Sequence, residues 1–130
     1  MKRLAPFLLA AAAACSSAVP STPVASPPAA VVDPQAARRL VAGGVKVLDV
    51  RTPGEFAAGH LPGATNIPYD ELDRRAAELG PPSTPVLLYC RSGRRSGIAA
   101  RTLHDKGFSK LYDLKAYDLW VQSEPAQAAR

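Results

Sequence analysis

The stretch LLYCRSGRRSG, residues 87–97, carries the residue types best suited to chemistry in this chain of 130 residues. One cysteine, Cys90, follows a short apolar run, and arginines, serines and glycines come directly after it. The backbone N–H groups of a short loop and nearby guanidinium groups stabilise negative charge. The pattern therefore predicts a cysteine thiolate that acts as a nucleophile, in a loop that binds an anion.

Other roles for Cys90 fit the sequence less well. A lone cysteine at the end of a strand is often an inert core side chain, but such a side chain needs no polar loop after it. The second cysteine of the chain, Cys15, lies in the N-terminal segment, so a disulfide within the domain is excluded. Neither His60 nor His104 stands at a zinc-ligand spacing from Cys90. We therefore predict neither a metal nor a cofactor.

The elements that must position Cys90 are predicted from apolar runs and helix-capping residues. VKVLDV and TPVLLYC are continuous aliphatic runs, typical of strands that are buried on both faces. In chain order the predicted elements are a helix at 33–44, a strand at 45–50, a helix at 52–59, a strand at 64–68, a helix at 69–80, a strand at 84–90, a helix at 96–107, a strand at 110–114 and a helical turn at 116–123. This alternation predicts an α/β fold with a mainly parallel central sheet and helices on both faces. Cys90 then lies at the carboxyl end of a strand, where ligands bind in such sheets.

Three separated motifs together resemble the rhodanese-like domain family of sulfurtransferases. They are VLDVRTPGEFAAGHLPGATNIP, VLLYCRSGRRSGIAA and LYDL followed by Trp120, in the order expected for one such domain. The resemblance runs from about Asp33 to Trp120 and points to exported, single-domain, phage-shock-type members. It implies an enzyme of the thiosulfate sulfurtransferase type, in which Cys90 takes a sulfane sulfur from thiosulfate or a similar donor as a persulfide. The persulfide sulfur then passes to cyanide or a thiol.

The resemblance also assigns roles to the residues around Cys90, its nucleophile. The residues that it assigns to substrate binding are those that follow the cysteine: Arg91, Ser92, Gly93, Arg94, Arg95 and Ser96. Four residues of the other family signature are interpreted as structural support: Asp49, Arg51, Glu55 and His60. For Glu55 the reason is that Thr52 and Glu55 have the spacing of a capping box. His60 as a proton carrier is the alternative.

One segment departs from the family pattern. Many relatives carry two glycines shortly before the tryptophan, where this chain has Lys115 and Ala116. In the family this segment lies near the active loop, so the departure leaves the pocket shape and the substrate preference open.

Two other functions use similar residues. Cysteine-dependent phosphatases and arsenate reductases also place a thiolate in an anion-binding loop, but they require the spacing Cys-x5-Arg. Here Arg95 comes one position too early, and Ser96 stands at the sixth position after Cys90. A sulfur carrier or binding module without turnover of its own is the second alternative, and the sequence leaves it open. In a domain this small, we expect the site to be open to solvent.

The N-terminal segment, residues 1–18, is predicted to direct export. Lys2 and Arg3 precede an apolar stretch at 4–14 that is too short to span a bilayer and is typical of a signal peptide. Cys15 follows small residues as in a bacterial lipobox. A lipid on Cys15 that tethers the protein to the membrane is one outcome, and ordinary cleavage nearby is the other. The predicted location is the periplasm or another extracytoplasmic space.

The rest of the chain divides into three parts. Residues 19–32 are rich in proline, alanine and serine and are predicted to form an extended tether, residues 33–124 one domain, and residues 125–130 a flexible tail. The formal charge of +5 falls to +3 without Lys2 and Arg3, which is too weak to indicate nucleic acid as a partner. We expect a monomer whose partners are a small-molecule sulfur donor and a thiol or cyanide acceptor.

Overall fold

A parallel sheet organises the part of the chain that the computed structural model describes, which is Ala14 and residues 26–125. The strands are β1 (Ala30–Val31), β2 (Lys46–Asp49), β3 (Thr65–Asn66), β4 (Val86–Cys90) and β5 (Leu111–Ala116). Their order in the sheet is β1-β5-β4-β2-β3, and every neighbouring pair is parallel. The carboxyl ends of β2, β4 and β5 therefore meet at one edge, and Cys90 is the last residue of the central strand β4.

Five helices and one 3-10 turn connect the strands. They are α1 (Pro34–Ala42), α2 (Pro53–Ala58), α3 (Leu72–Arg75), the 3-10 turn Ala76–Leu79, α4 (Arg94–Asp105) and α5 (Tyr117–Gln122). Side-chain caps are present at the start of α1 and at the start of α2, and the second is the predicted capping box. Asp33 accepts a hydrogen bond from the Ala36 N–H at 2.7 Å, and Thr52 and Glu55 form the capping box of α2. Each cap satisfies backbone N–H groups that a helix start leaves without a partner.

The sheet is covered on both faces, which confirms the predicted α/β fold. Every residue of β4 is buried, and successive side chains enter two separate clusters. Leu88 packs in the cluster that holds Leu103 of α4, whereas Leu87 packs in the one that holds Trp120 of α5. Because both faces exclude water, this strand requires the continuous aliphatic run that its sequence shows.

Ordered structure begins earlier than the predicted boundary at Asp33. Ala30 and Val31 pair with Tyr112 and Asp113 as an edge strand, so the segment predicted to be a tether up to residue 32 contains part of the sheet. A two-residue edge strand needs only backbone hydrogen bonds, and it leaves no periodic pattern that would reveal it in the sequence. Apart from Ala14, the predicted signal peptide with Cys15 lies outside the described residues, as do residues 126–130 of the tail.

No helix in the described part of the chain is both long enough and apolar enough to cross a bilayer.

Candidate active site

The sulfur of Cys90 accepts a hydrogen bond from the backbone of the loop that follows it. The Gly93 N–H donates to Cys90 Sγ over 2.8 Å. This bond depends on a left-handed backbone at Gly93, whose φ is +98°, because only glycine adopts that conformation without strain. The loop therefore directs a donor at the cysteine, as an anion-binding loop requires.

The expectation that this site is open to solvent is wrong for the sulfur itself. Cys90 has no exposed surface, although the neighbouring Arg91 and Ser92 are exposed. The sulfur packs among the buried side chains on one face of the sheet, and the loop brings the Gly93 N–H against it.

The six residues predicted to bind substrate fall into two parts. Arg91, Ser92 and Gly93 form the loop, whereas α4 begins at Arg94, two residues earlier than predicted. Ser96 is buried, and its hydroxyl donates to the Gly93 carbonyl over 3.0 Å. Its side chain thus supports the loop conformation and points its proton at the backbone of the loop.

Arg95 does not stand free beside the loop. Its guanidinium group donates to both carboxylate oxygens of Glu55, over 2.8 and 3.0 Å. The hydrogen bonds from Arg95 lower the pKa of Glu55 from 4.5 to about 2, against the opposing effect of burial. The pKa of Arg95 is raised, mainly by the hydrogen bond to Glu55.

Glu55 therefore does more than the predicted capping. The same carboxylate accepts from the Thr52 N–H at the start of α2 and from Arg95 in the first turn of α4. The sequence shows the capping box, but the contact with Arg95 spans forty residues and leaves no local signal.

Arg91 and Arg94 are the arginines left to meet an anion. Both are exposed, and neither forms an ion pair with any residue that the structure describes.

Arg91 lines a cavity of about 160 Å³ next to the loop, together with Arg51, Glu55 and Tyr117. Ala58 and Asp118 complete its lining. Sequence reasoning did not single out Tyr117 or Asp118, since α5 carries no motif of its own.

Asp49 and Arg51 form a buried ion pair behind the site, which supports their interpretation as structural residues. Arg51 Nη2 lies 2.6 Å from Asp49 Oδ2, and the same oxygen accepts from the Tyr89 hydroxyl over 2.7 Å. Burial opposes the charge of Arg51, yet the bonds to Asp49 raise its pKa. Burial is the main reason why the pKa of Tyr89 is also raised, so its hydroxyl keeps its proton and donates. This network fixes Tyr89, the residue before Cys90, to the end of β2.

Arg51 also connects the ion pair to the cavity wall. It donates to the Gly59 carbonyl over 2.6 Å, and its guanidinium carbon lies 4.4 Å from the ring centre of Tyr117. A cation above an aromatic face is attracted by the negative face of the ring. These contacts of Arg51 therefore hold Tyr117, which lines the cavity together with Arg91, in place.

His60 is held by α2. Its ring stacks on Phe56, with centroids 3.9 Å apart and planes 8° from parallel, and Nδ1 lies 2.9 Å from the Phe56 carbonyl oxygen. These contacts orient the ring by local packing and favour the structural interpretation over that of a proton carrier.

A second cavity, of about 760 Å³, lies at the end of the sheet where the strands begin, and its lining includes Val45, Lys46 and Pro85. It is therefore remote from the Cys90 chemistry. Among the described residues, no group of three or more histidine, cysteine, aspartate or glutamate side chains could hold a metal ion.

Comparison with known families agrees with this geometry. Residues 33–122 match the rhodanese-like domain family. The chain belongs to that family. The match includes every element from α1 to α5, and so contains the loop, the buried ion pair and the cavity described above.

Individual members of the family are similar to this chain to different extents. Thiosulfate sulfurtransferase GlpE of Pseudomonas entomophila is 34% identical over 102 residues, which cover 76% of this chain and 91% of GlpE. The human single-domain sulfurtransferase TSTD1 is 28% identical, with a TM-score of 0.67 over 77% of this chain and all of TSTD1.

Two Bacillus subtilis relatives are more similar in sequence over a shorter region. The uncharacterized protein YqhL is 46% identical and the putative sulfur carrier protein YrkF 40% identical, each over 70 residues or 54% of this chain. The matched region spans 55% of YqhL and 37% of YrkF.

Proposed function

We propose that this protein is a sulfurtransferase that carries sulfane sulfur on Cys90. The observation that carries the proposal is the Gly93 N–H donated to Cys90 Sγ over 2.8 Å, within a family whose members include thiosulfate sulfurtransferases. A backbone N–H directed at sulfur stabilises the thiolate, which is the nucleophilic form. The exposed Arg91 and Arg94 give the rim a positive charge that attracts an anionic donor.

The proposed reaction has two displacement steps. The Cys90 thiolate attacks the outer sulfur of thiosulfate, a bond forms between the two sulfur atoms, and sulfite leaves with the electron pair of the broken S–S bond. The persulfide that remains on Cys90 is then attacked at its terminal sulfur by cyanide or a thiolate. The Cys90 thiolate leaves with the bonding electrons, so the enzyme returns to its first state without an external oxidant or reductant.

Mass spectrometry of the intact protein tests this function. After incubation with thiosulfate, we expect an added mass of about 32 Da, one sulfur atom, on Cys90. Addition of cyanide should remove this mass and release thiocyanate. A Cys90→Ser variant should stay folded, carry no added sulfur and lack turnover. Turnover that survives in this variant would contradict the proposal.

A sulfur carrier is a second candidate function, because YrkF is named as a putative sulfur carrier and resembles this chain. The two functions differ in turnover. A carrier acquires the added mass on Cys90 but releases its sulfur slowly to small thiols. Rapid release of sulfite from thiosulfate over many cycles identifies the enzyme instead.

The alternative of phosphatase activity is tested on the same preparation. We expect hydrolysis of an aryl phosphate to be far slower than sulfur transfer, because the loop closes one residue before the position at which phosphatases place their arginine. Comparable rates of the two reactions would overturn the assignment.

A further inference from the structure

Lys115 has a backbone conformation that is unfavourable for lysine. Its φ is +74°, and it is the only residue other than glycine with a positive φ among those described. It follows a bulge in β5: Leu88 pairs with Asp113, but Tyr89 pairs with Lys115, so Leu114 is left without a partner. Glycine adopts such a conformation without strain, whereas lysine pays a conformational penalty. The contacts of Lys115 with its neighbours must therefore offset this penalty.

Asp113 supplies part of these contacts, because it binds both the backbone and the side-chain ammonium group of Lys115. Oδ1 of Asp113 accepts from the Lys115 backbone N–H over 2.8 Å, and Oδ2 lies 3.0 Å from the Lys115 ammonium group. The Asp113 side chain is 2% exposed, so its charge needs these partners. We call Lys115 and Asp113 together the Lys115 strap.

The alkyl chain of the strap lies against the active loop. A Cβ atom placed on Gly93 would come within 3.1 Å of Lys115 Cδ and 3.3 Å of Lys115 Cβ. The lysine side chain thus occupies the space beside the Gly93 α-carbon. Gly93 is the residue whose N–H bonds the Cys90 sulfur, and its left-handed backbone has no side chain of its own to hold it in place.

We propose that Lys115 is a positioning residue for Cys90. The Lys115 strap packs on Gly93 and keeps the Gly93 N–H directed at the sulfur, through the alkyl chain and its tie to Asp113. The catalytic value of this positioning rests on the proposed sulfurtransferase function, but the contact between Lys115 and Gly93 exists without substrate. The proposal also assigns a role to a lysine at a position where many relatives have glycine.

The test compares substitutions at one position. Lys115→Gly removes the strap and accepts the backbone conformation, Lys115→Met keeps most of the alkyl chain but loses the tie, and Lys115→Arg keeps both. We expect the Gly93 amide proton to exchange with solvent about tenfold faster in Lys115→Gly, as after loss of one hydrogen bond to a charged acceptor. The arginine variant should restore slow exchange, and the methionine variant should fall between them. The Gly107 amide at the other end of α4 is the internal control.

Steady-state kinetics separates positioning from a direct charge effect. Positioning predicts a lower kcat in Lys115→Gly with little change in the KM for thiosulfate, and recovery of kcat in Lys115→Arg. The proposal is overturned if Gly93 exchange is unchanged in Lys115→Gly. It is also overturned if Lys115→Met and Lys115→Gly raise KM equally, since the ammonium charge would then be what matters. Hydrogen exchange of the Gly93 amide is measured without a sulfur donor. A wild-type protein that fails to turn over thiosulfate would therefore contradict the proposed function, while the exchange test of Lys115 would remain valid.

Discussion

At the scale of single residues, the arginines around Cys90 have separate tasks although they are neighbours in sequence. Arg95 is committed to Glu55 through two hydrogen bonds, whereas Arg91 is exposed at the cavity next to the loop. A guanidinium group already paired with a carboxylate contributes little further field to an arriving anion. The attraction of a sulfur donor should therefore depend on Arg91 more than on Arg95.

This difference gives a prediction for Arg91. Arg91→Gln should raise the KM for thiosulfate several-fold and weaken its salt dependence, because the donor loses a cation close to the sulfur that it must reach. Arg39→Gln is the matched control, since Arg39 is an exposed arginine at the end of the sheet where the strands begin. Steady-state rates at several ionic strengths provide the measurement. Equal effects of the two substitutions would show that overall charge, and not the position of Arg91, attracts the donor.

At the scale of elements, the Glu55–Arg95 pair joins α2 to α4 across the site. The pKa of Glu55 lies at about 2 in the folded protein and near 4.5 for an ordinary glutamate, so the folded state favours the charged form. The stability that this pair contributes is complete above pH 4.5 and is lost as the pH falls toward 2.

Glu55→Gln should therefore reduce stability most at neutral pH. Glutamine at this position retains the capping box, so the substitution isolates the charge. We expect a loss of about 1 kcal/mol at pH 7, since both side chains are partly exposed to solvent. The difference from wild type should shrink between pH 4.5 and 2. Urea unfolding across this range measures it, with Glu124→Gln as a control at an exposed glutamate. A difference that is constant with pH would contradict the assigned role of the pair.

The elements themselves could be predicted to a large extent from the sequence. The aliphatic run before Cys90 indicated β4, and Asp33 and Thr52 marked two helix starts, because each of these signals is local. The contact between Glu55 and Arg95, and that between Lys115 and Gly93, depend on which chain segments meet in space. The burial of Cys90 was missed for the same reason: it results from the buried side chains that pack around the sulfur on one face of the sheet.

At the scale of the whole molecule, we propose that the N-terminal segment directs the domain out of the cytoplasm. Export is proposed from the basic start, the short apolar stretch and the small residues before Cys15. Fractionation of cells that make the native protein should place it outside the cytoplasm, with the signal removed. If Cys15 carries a lipid, Cys15→Ser should move the protein from the membrane to the soluble fraction. A full-length protein that stays in the cytoplasm would contradict export.

The outermost strands of the sheet, β1 and β3, are each only two residues long, and such short edge strands favour solubility. Long open edges pair with other chains and promote aggregation, which short edge strands avoid. β1 pairs with Tyr112 and Asp113 of the six-residue strand β5. The chain reaches β1 through Pro27 and Pro28, which cannot donate backbone hydrogen bonds. Cleavage after residue 32 would turn β5 into an open edge. A form that begins at residue 33 should therefore scatter light and form aggregates at concentrations at which a form that begins at residue 26 remains clear. If both forms stay equally clear, β1 does not protect the sheet.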